Sequence, residues 1–170
     1  MIEITPMQPE YIAQAKNVIY RVAHTIFGRE QTLEEFIATA EHDRELADVE
    51  NYQAIYSENR GLFLMVREDG KVIGTGGIRK LRENTAELKR IWLLEEYHGQ
   101  QIGFQVVSTL LNFAREHGYI FAYLETTRLN KRALGFYQKL GFRQVPSPYD
   151  DADEISMEMP LVYYNNFSVR

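Results

Sequence analysis

The chain has 170 residues, 45% of them hydrophobic and 25% charged, with a formal net charge of −5, which fits one domain able to bury roughly 70% of its unfolded surface and excludes a disordered chain. The acidic balance excludes a basic nucleic-acid footprint, because Lys89-Arg90 and Lys131-Arg132 stand isolated. The lack of cysteine excludes disulfides, thiolate metal sites and a cysteine nucleophile; no apolar run approaches the roughly 20 residues that span a bilayer, and Met1-Ile2-Glu3-Ile4-Thr5 lacks a signal pattern, so a cytoplasmic protein with no membrane partner is expected.

Residues Ile2 to Met7 alternate and are stopped by Pro6 and Pro9, which predicts a first strand. Over residues 10–27, Ile12, Ala15, Ile19, Val22, Ala23 and Ile26 recur at helical spacing, with Gly28 as the stop. Thr32-Leu33-Glu34-Glu35 reads as a capping box opening a polar helix to about Leu46. The stretch from there to Arg60 carries no clear periodicity. Leu62–Arg67 and Val72–Ile78 are apolar runs joined by Glu68-Asp69-Gly70-Lys71, and Asp-Gly signals a hairpin because both residues tolerate positive φ. A third strand is expected over Thr85 to Leu94. The next helix runs through Arg115, with Ile102, Val106, Val107, Leu110, Leu111 and Ala114 as its apolar stripe and Gly118 at its end. Tyr119–Thr126 reads as a buried strand and residues 131–140 as a helix stopped by Gly141. Phe142–Val145 and Ile155–Val162 read as the last strands. This order predicts a single-domain α/β (α+β) fold, with a central mixed, mostly antiparallel twisted sheet flanked by about four helices.

The most informative unit runs from strand to turn to helix over Leu88 to Ala114. A helix N-terminus fed by a glycine-containing turn offers free backbone N–H groups and about half a positive charge, which suits a phosphate or pyrophosphate. Here the turn is Tyr97-His98-Gly99-Gln100-Gln101-Ile102-Gly103. It is neither a P-loop nor a dinucleotide fingerprint, since no Gly-Lys-Ser/Thr follows and the Gly-x-Gly-x-x-Gly spacing is absent. A plain tight turn would read the same way on glycines alone. The second unit is Asn130-Lys131-Arg132-Ala133-Leu134-Gly135-Phe136-Tyr137-Gln138-Lys139-Leu140-Gly141-Phe142, which follows the strand Tyr119 to Thr126.

Together these segments resemble motifs A and B of the GCN5-related N-acetyltransferase (GNAT) superfamily, and Leu88-Lys89-Arg90 resembles the strand that feeds motif A. The likeness covers residues 62–161; the first 60 residues fit in topology only. It implies one N-acetyltransferase domain over 1–170, with 1–60 shaping acceptor specificity and 61–162 forming an acetyl-CoA-binding core. It departs from the family at two points: His98 stands where Gln or Arg is usual, and Gln101 replaces a glycine.

The resemblance also implies roles. His98, Gly99, Gln100, Gln101, Ile102 and Gly103 would form the pyrophosphate turn, mainly through backbone N–H groups. Trp92, Leu93 and Leu94 would form a splayed strand end that pairs with pantetheine, and a β-bulge there would aim one N–H at the thioester carbonyl. Asn130 would contact the pantetheine arm, cap its helix, or both. Tyr137 would protonate the departing thiolate, and its neighbour Phe136 would fill the core. Glu87 would be the general base for the incoming ammonium, with Glu125 on the next strand as its competitor, a buried carboxylate having a raised pKa. Acetyl-CoA is the implied co-substrate, no metal is expected, and the acceptor is a small-molecule or peptide amine. His24, His42 and His117 lack metal-ligand spacing, and Asp150, Asp151, Asp153 and Glu154 read as a solvated loop. A longer acyl donor, a homodimer, and a non-catalytic acyl-CoA-binding sensor or scaffold stay open at this stage.

Overall fold

The computed structural model describes residues 1–163. Among these, seven strands, β1 (Ile2–Pro6), β2 (Leu62–Glu68), β3 (Lys71–Arg82), β4 (Thr85–Leu93), β5 (Phe121–Thr127), β6 (Arg143–Val145) and β7 (Glu154–Pro160), form one sheet in the order β1-β2-β3-β4-β5-β7-β6. Only β4 and β5 run parallel; every other neighbouring pair is antiparallel. The helices are α1 (Ile12–Phe27), α2 (Leu33–His42), α3 (Ala47–Glu50), α4 (Ile102–Glu116) and α5 (Lys131–Leu140), with a π-helical turn over Gln53–Ser57. The mixed α/β sheet matches the expectation; five α-helices replace the expected four.

Local chemistry explains most boundaries. Asp69 and Gly70 take φ of 49° and 81°, the paired positive values that a tight β2–β3 hairpin needs. The Thr32 hydroxyl accepts from the Glu35 N–H at 3.2 Å while the Glu35 carboxylate accepts from the Thr32 N–H at 2.9 Å, so the capping box is complete. α2 ends at His42 rather than near Leu46, because Arg44 turns left-handed at φ 54° and redirects the chain. That turn buries Leu46 and Val49. β7 ends at Pro160, short of Val162; proline cannot donate to the ladder and a short 3₁₀ turn follows.

Two adjacent glycines show how the layers sit. A Cβ on Gly76 would come 2.5 Å from Val106 of α4, whereas one on Gly77 would come 2.6 Å from Tyr56 and 2.7 Å from Phe63. Successive strand residues face opposite ways, so α4 covers one face and the π-turn the other. The predicted α4 stripe, from Ile102 to Ala114, is buried at all six positions. Among the described residues no helix is long and apolar enough to cross a membrane.

Candidate active site

β4 and β5 pair only from Thr85–Phe121 to Leu88–Leu124. Beyond that point the two strands carry no ladder between them, and a cleft of about 200 Å³ lies there, lined by Lys89 to Trp92 from β4 and Glu125 to Thr127 from β5. A bulge makes β4 diverge. Thr75 pairs with Trp92 and Gly77 with Lys89, so Arg90 and Ile91 together oppose Gly76. Arg90 takes φ 57°, a left-handed conformation uncommon for a side chain of its size.

α5 closes the cleft with Asn130, Ala133 and Tyr137. Asn130 caps α5, its side-chain oxygen accepting from the Ala133 N–H at 3.1 Å. Gly141 ends the helix at φ 108°. Tyr137 is 7% exposed, and burial pushes its hydroxyl well above the ordinary tyrosine range. Phe136 is only half-buried, so the expected division between the two is corrected. Tyr137 is the deeper ring, packed edge-on against both Phe136 and Phe142.

The turn before α4 carries two residues in the left-handed region. Gly99 has φ 80° and Gln101 has φ 62°. Gln101 is the N-cap and makes no side-chain capping bond, so the N–H groups of the first turn, Ile102 and Gly103 among them, have no intrahelical acceptor. Gln101 therefore holds the backbone shape that glycine would take freely, at a cost of roughly 1–2 kcal/mol. The His98 Nε2 lies 3.0 Å from the Leu93 carbonyl oxygen and ties the turn to the end of β4. The Gln100 side chain donates to the Glu96 carbonyl at 3.4 Å. The Leu94 N–H donates to the Ile73 carbonyl at 3.0 Å, which removes it as a free donor toward pantetheine. Trp92 lines the cleft, and Leu93 continues the strand beside it.

The two carboxylates separate. Glu87 is buried at 4% exposure, but it does not line the cleft. Its oxygens lie 3.2 Å from Arg79 Nε and 3.8 Å from Lys89 Nζ. Glu125 does line the cleft, where it accepts a hydrogen bond from the Tyr123 hydroxyl at 3.0 Å. Glu154 joins it from β7. Burial and the charges of Asp151, Glu125 and Asp153 raise the Glu154 carboxyl above the usual range. The acidic loop thus reaches the site through its last residue. Phe27, the half-exposed last residue of α1, is a further wall that sequence reasoning missed; an aromatic side chain directly before a helix-ending glycine was the available signal. Among the described residues no group of three or more His, Asp or Glu side chains could hold a metal ion.

A parallel strand pair that splays at a bulge, with an uncapped helix N-terminus following and a buried tyrosine on the next helix, defines an acyltransferase-type fold. The chain belongs to the GNAT acetyltransferases: residues 28–142 match the Acetyltransferase (GNAT) family. It is 29% identical over 120 residues to the uncharacterized N-acetyltransferase YjgM of Escherichia coli, covering 68% of this chain and 72% of that protein. It is 36% identical over 93 residues to the Homo sapiens N-acetyltransferase 8B, covering 52% of this chain and 41% of that longer relative. The chain therefore spans less than half of that relative's length. Among solved structures, a GNAT-family acetyltransferase from Staphylococcus aureus superposes with a TM-score of 0.78 at 21% identity, covering 95% of this chain and 99% of that one. The PaiA N-acetyltransferase of Thermoplasma acidophilum, in complex with coenzyme A, gives 0.76 at 23% identity, covering 94% and 99%. At these identities the likeness shows the fold.

Proposed function

We propose that this protein transfers the acetyl group of acetyl-CoA to a primary amine by direct attack in a ternary complex. The observation that carries this reading is the splayed β4/β5 cleft with Tyr137 in its wall. The uncapped α4 N-terminus supplies unpaired N–H groups and a helix dipole suited to the pyrophosphate. The similar PaiA enzyme is solved in complex with coenzyme A, which supports a coenzyme A thioester as the donor. When bound, acetyl-CoA supplies an activated thioester.

The chain's own groups then divide the work. The acceptor ammonium loses a proton to Glu125, the carboxylate in the cleft wall, in place of the Glu87 expected from the resemblance. The amine nitrogen attacks the thioester carbonyl carbon, the C–S bond breaks, the thiolate takes the Tyr137 proton, and the second proton of the attacking nitrogen passes to the Tyr137 phenolate as the neutral amide forms. Burial raises the Tyr137 pKa. The phenol thus stays protonated until the thiolate forms. Glu125 and Glu154 favour a cationic acceptor by Coulomb attraction in a partly dry site.

Isothermal titration tests this. Acetyl-CoA and free CoA should both bind, and acetyl-CoA should release free thiol in the presence of a primary amine. No heat and no stabilisation at millimolar acetyl-CoA removes the enzyme reading.

A further inference from the structure

The Arg90 side chain has a role apart from its backbone. Its Nε and one terminal nitrogen donate to the two oxygens of Asp48 at 3.0 and 2.8 Å, and that terminal nitrogen also donates to the Glu45 carbonyl at 2.8 Å. The Tyr56 hydroxyl donates to Asp48 at 2.6 Å. Burial would raise the Asp48 carboxyl, but the Arg90 bonds and charge, with Tyr56, more than offset it and hold it below the usual range. Asp48 and Tyr56 come from α3 and the π-turn, the segment whose sequence shows no periodicity, and Glu45 lies just before α3. The bulge is gripped elsewhere too. The Thr75 hydroxyl donates to the Arg90 carbonyl at 2.7 Å. A Cβ on Gly76 would lie 3.1 Å from Ile91 and 2.5 Å from Val106, so α4 presses on the bulge from the opposite face.

A left-handed arginine costs free energy and persists only where its surroundings over-determine it. The bidentate fork with Asp48 is a strong and directional interaction of the kind that can do so. We propose that the Asp48–Arg90 pair is a positioning device that holds the β4 bulge in its left-handed bend, and so fixes where the strand end presents its backbone to the donor cleft. It ties the N-terminal helices to the strand flanking the reacting carbonyl. Asp48 touches no substrate; it acts through Arg90. This rests on the donor reading of the cleft given above.

The test uses Asp48→Asn, which keeps size but removes the charge, and Arg90→Lys, which keeps charge but removes the fork. Native-state amide exchange, read by NMR on the full chain without ligand, should accelerate at Ile91 and Trp92 by about tenfold or more. Ile78 and Leu124, away from the bulge, should stay within about threefold. Turnover, read as free thiol released from acetyl-CoA with a panel of primary amines, should fall roughly tenfold or more, because small misplacements of a reacting geometry are costly. For Asp48→Asn, which leaves every cleft-lining side chain in place, the dissociation constant of free CoA should shift less than turnover falls. Unchanged exchange at Ile91 and Trp92, equal acceleration at all four amides, or local loosening with unchanged turnover overturns the proposal. If Asp48→Asn does not fold, Arg90→Lys alone decides it by the same readings. Should wild type neither bind acetyl-CoA nor release thiol, the functional reading fails, and the exchange pattern still decides whether the pair holds the bulge.

Discussion

The residues before β2 and the residues from β2 onward are built by different means. In the later region, chemistry is local: a turn feeds α4, Asn130 caps α5, and Ala133 and Tyr137 follow on the same helix face to line the cleft. The earlier region is assembled by partners distant in sequence. Lys16 of α1 bridges Glu41 of α2 and Glu50, the last residue of α3, at 2.7 and 2.5 Å. Asp48 reaches Arg90, and Arg60 donates to the His117 carbonyl at 3.0 Å. The lesson is that much of the β4/β5 cleft is written in short motifs, whereas the N-terminal helices are held by contacts no local pattern announces.

Six substitutions can break or sharpen that contrast. Tyr137→Phe, in the locally encoded region, should lower turnover by roughly 10²–10⁴-fold with acetyl-CoA affinity nearly unchanged, since the ring remains. Steady-state rates with titration calorimetry check this, and an unchanged rate would assign thiolate protonation to water. Glu125→Gln should lower the rate at neutral pH by roughly 10²-fold, with partial rescue at higher pH as free amine accumulates. Glu87→Gln is the control: removing its charge leaves Arg79 and Lys89 short of a partner and should cost stability more than rate. The reverse pattern would return the base to Glu87.

Asp48→Asn, which breaks a long-range tie, should cost about 2–4 kcal/mol at neutral pH, near the lower end of what breaking a buried pair costs. The sign with pH follows from the lowered Asp48 carboxyl. Its contribution is present above the unfolded value of about 4 and is lost as pH falls below it. The gap in melting temperature between wild type and variant should therefore shrink in acid, and a gap that widens would contradict the assignment. Gly76→Ala should cost about 1–3 kcal/mol by overpacking against Val106. Denaturant melts would show this as a lower midpoint at constant slope. Thr32→Ala, which removes one local cap in the otherwise long-range region, should cost about 1 kcal/mol. If it costs more than Asp48→Asn, the contrast between the two regions fails.

The amino-acid sequence by itself determined the elements and marked several of the segments that line the cleft. Helical and alternating periodicity placed the strands and long helices to within a few residues, because burying one face of an element dictates where its apolar residues fall. Turn chemistry at Asp69-Gly70 and the capping box at Thr32 were legible because backbone dihedrals and unpaired N–H groups are local constraints. Tyr137, Asn130 and the turn at residues 98–103 were singled out by the family resemblance, and the first two line the cleft. Only the tertiary structure decided the rest. It placed Glu125 in the cleft wall and Glu87 among cations beside it, two residues of the same type on neighbouring strands. It buried Tyr137 more deeply than Phe136, turned His98 back onto Leu93, and brought Phe27 and Glu154 to the cleft. It also paired Asp48 with Arg90 across 42 positions of sequence. Such facts depend on which faces meet when distant segments pack, and periodicity reports that a face is buried without naming what it is buried against.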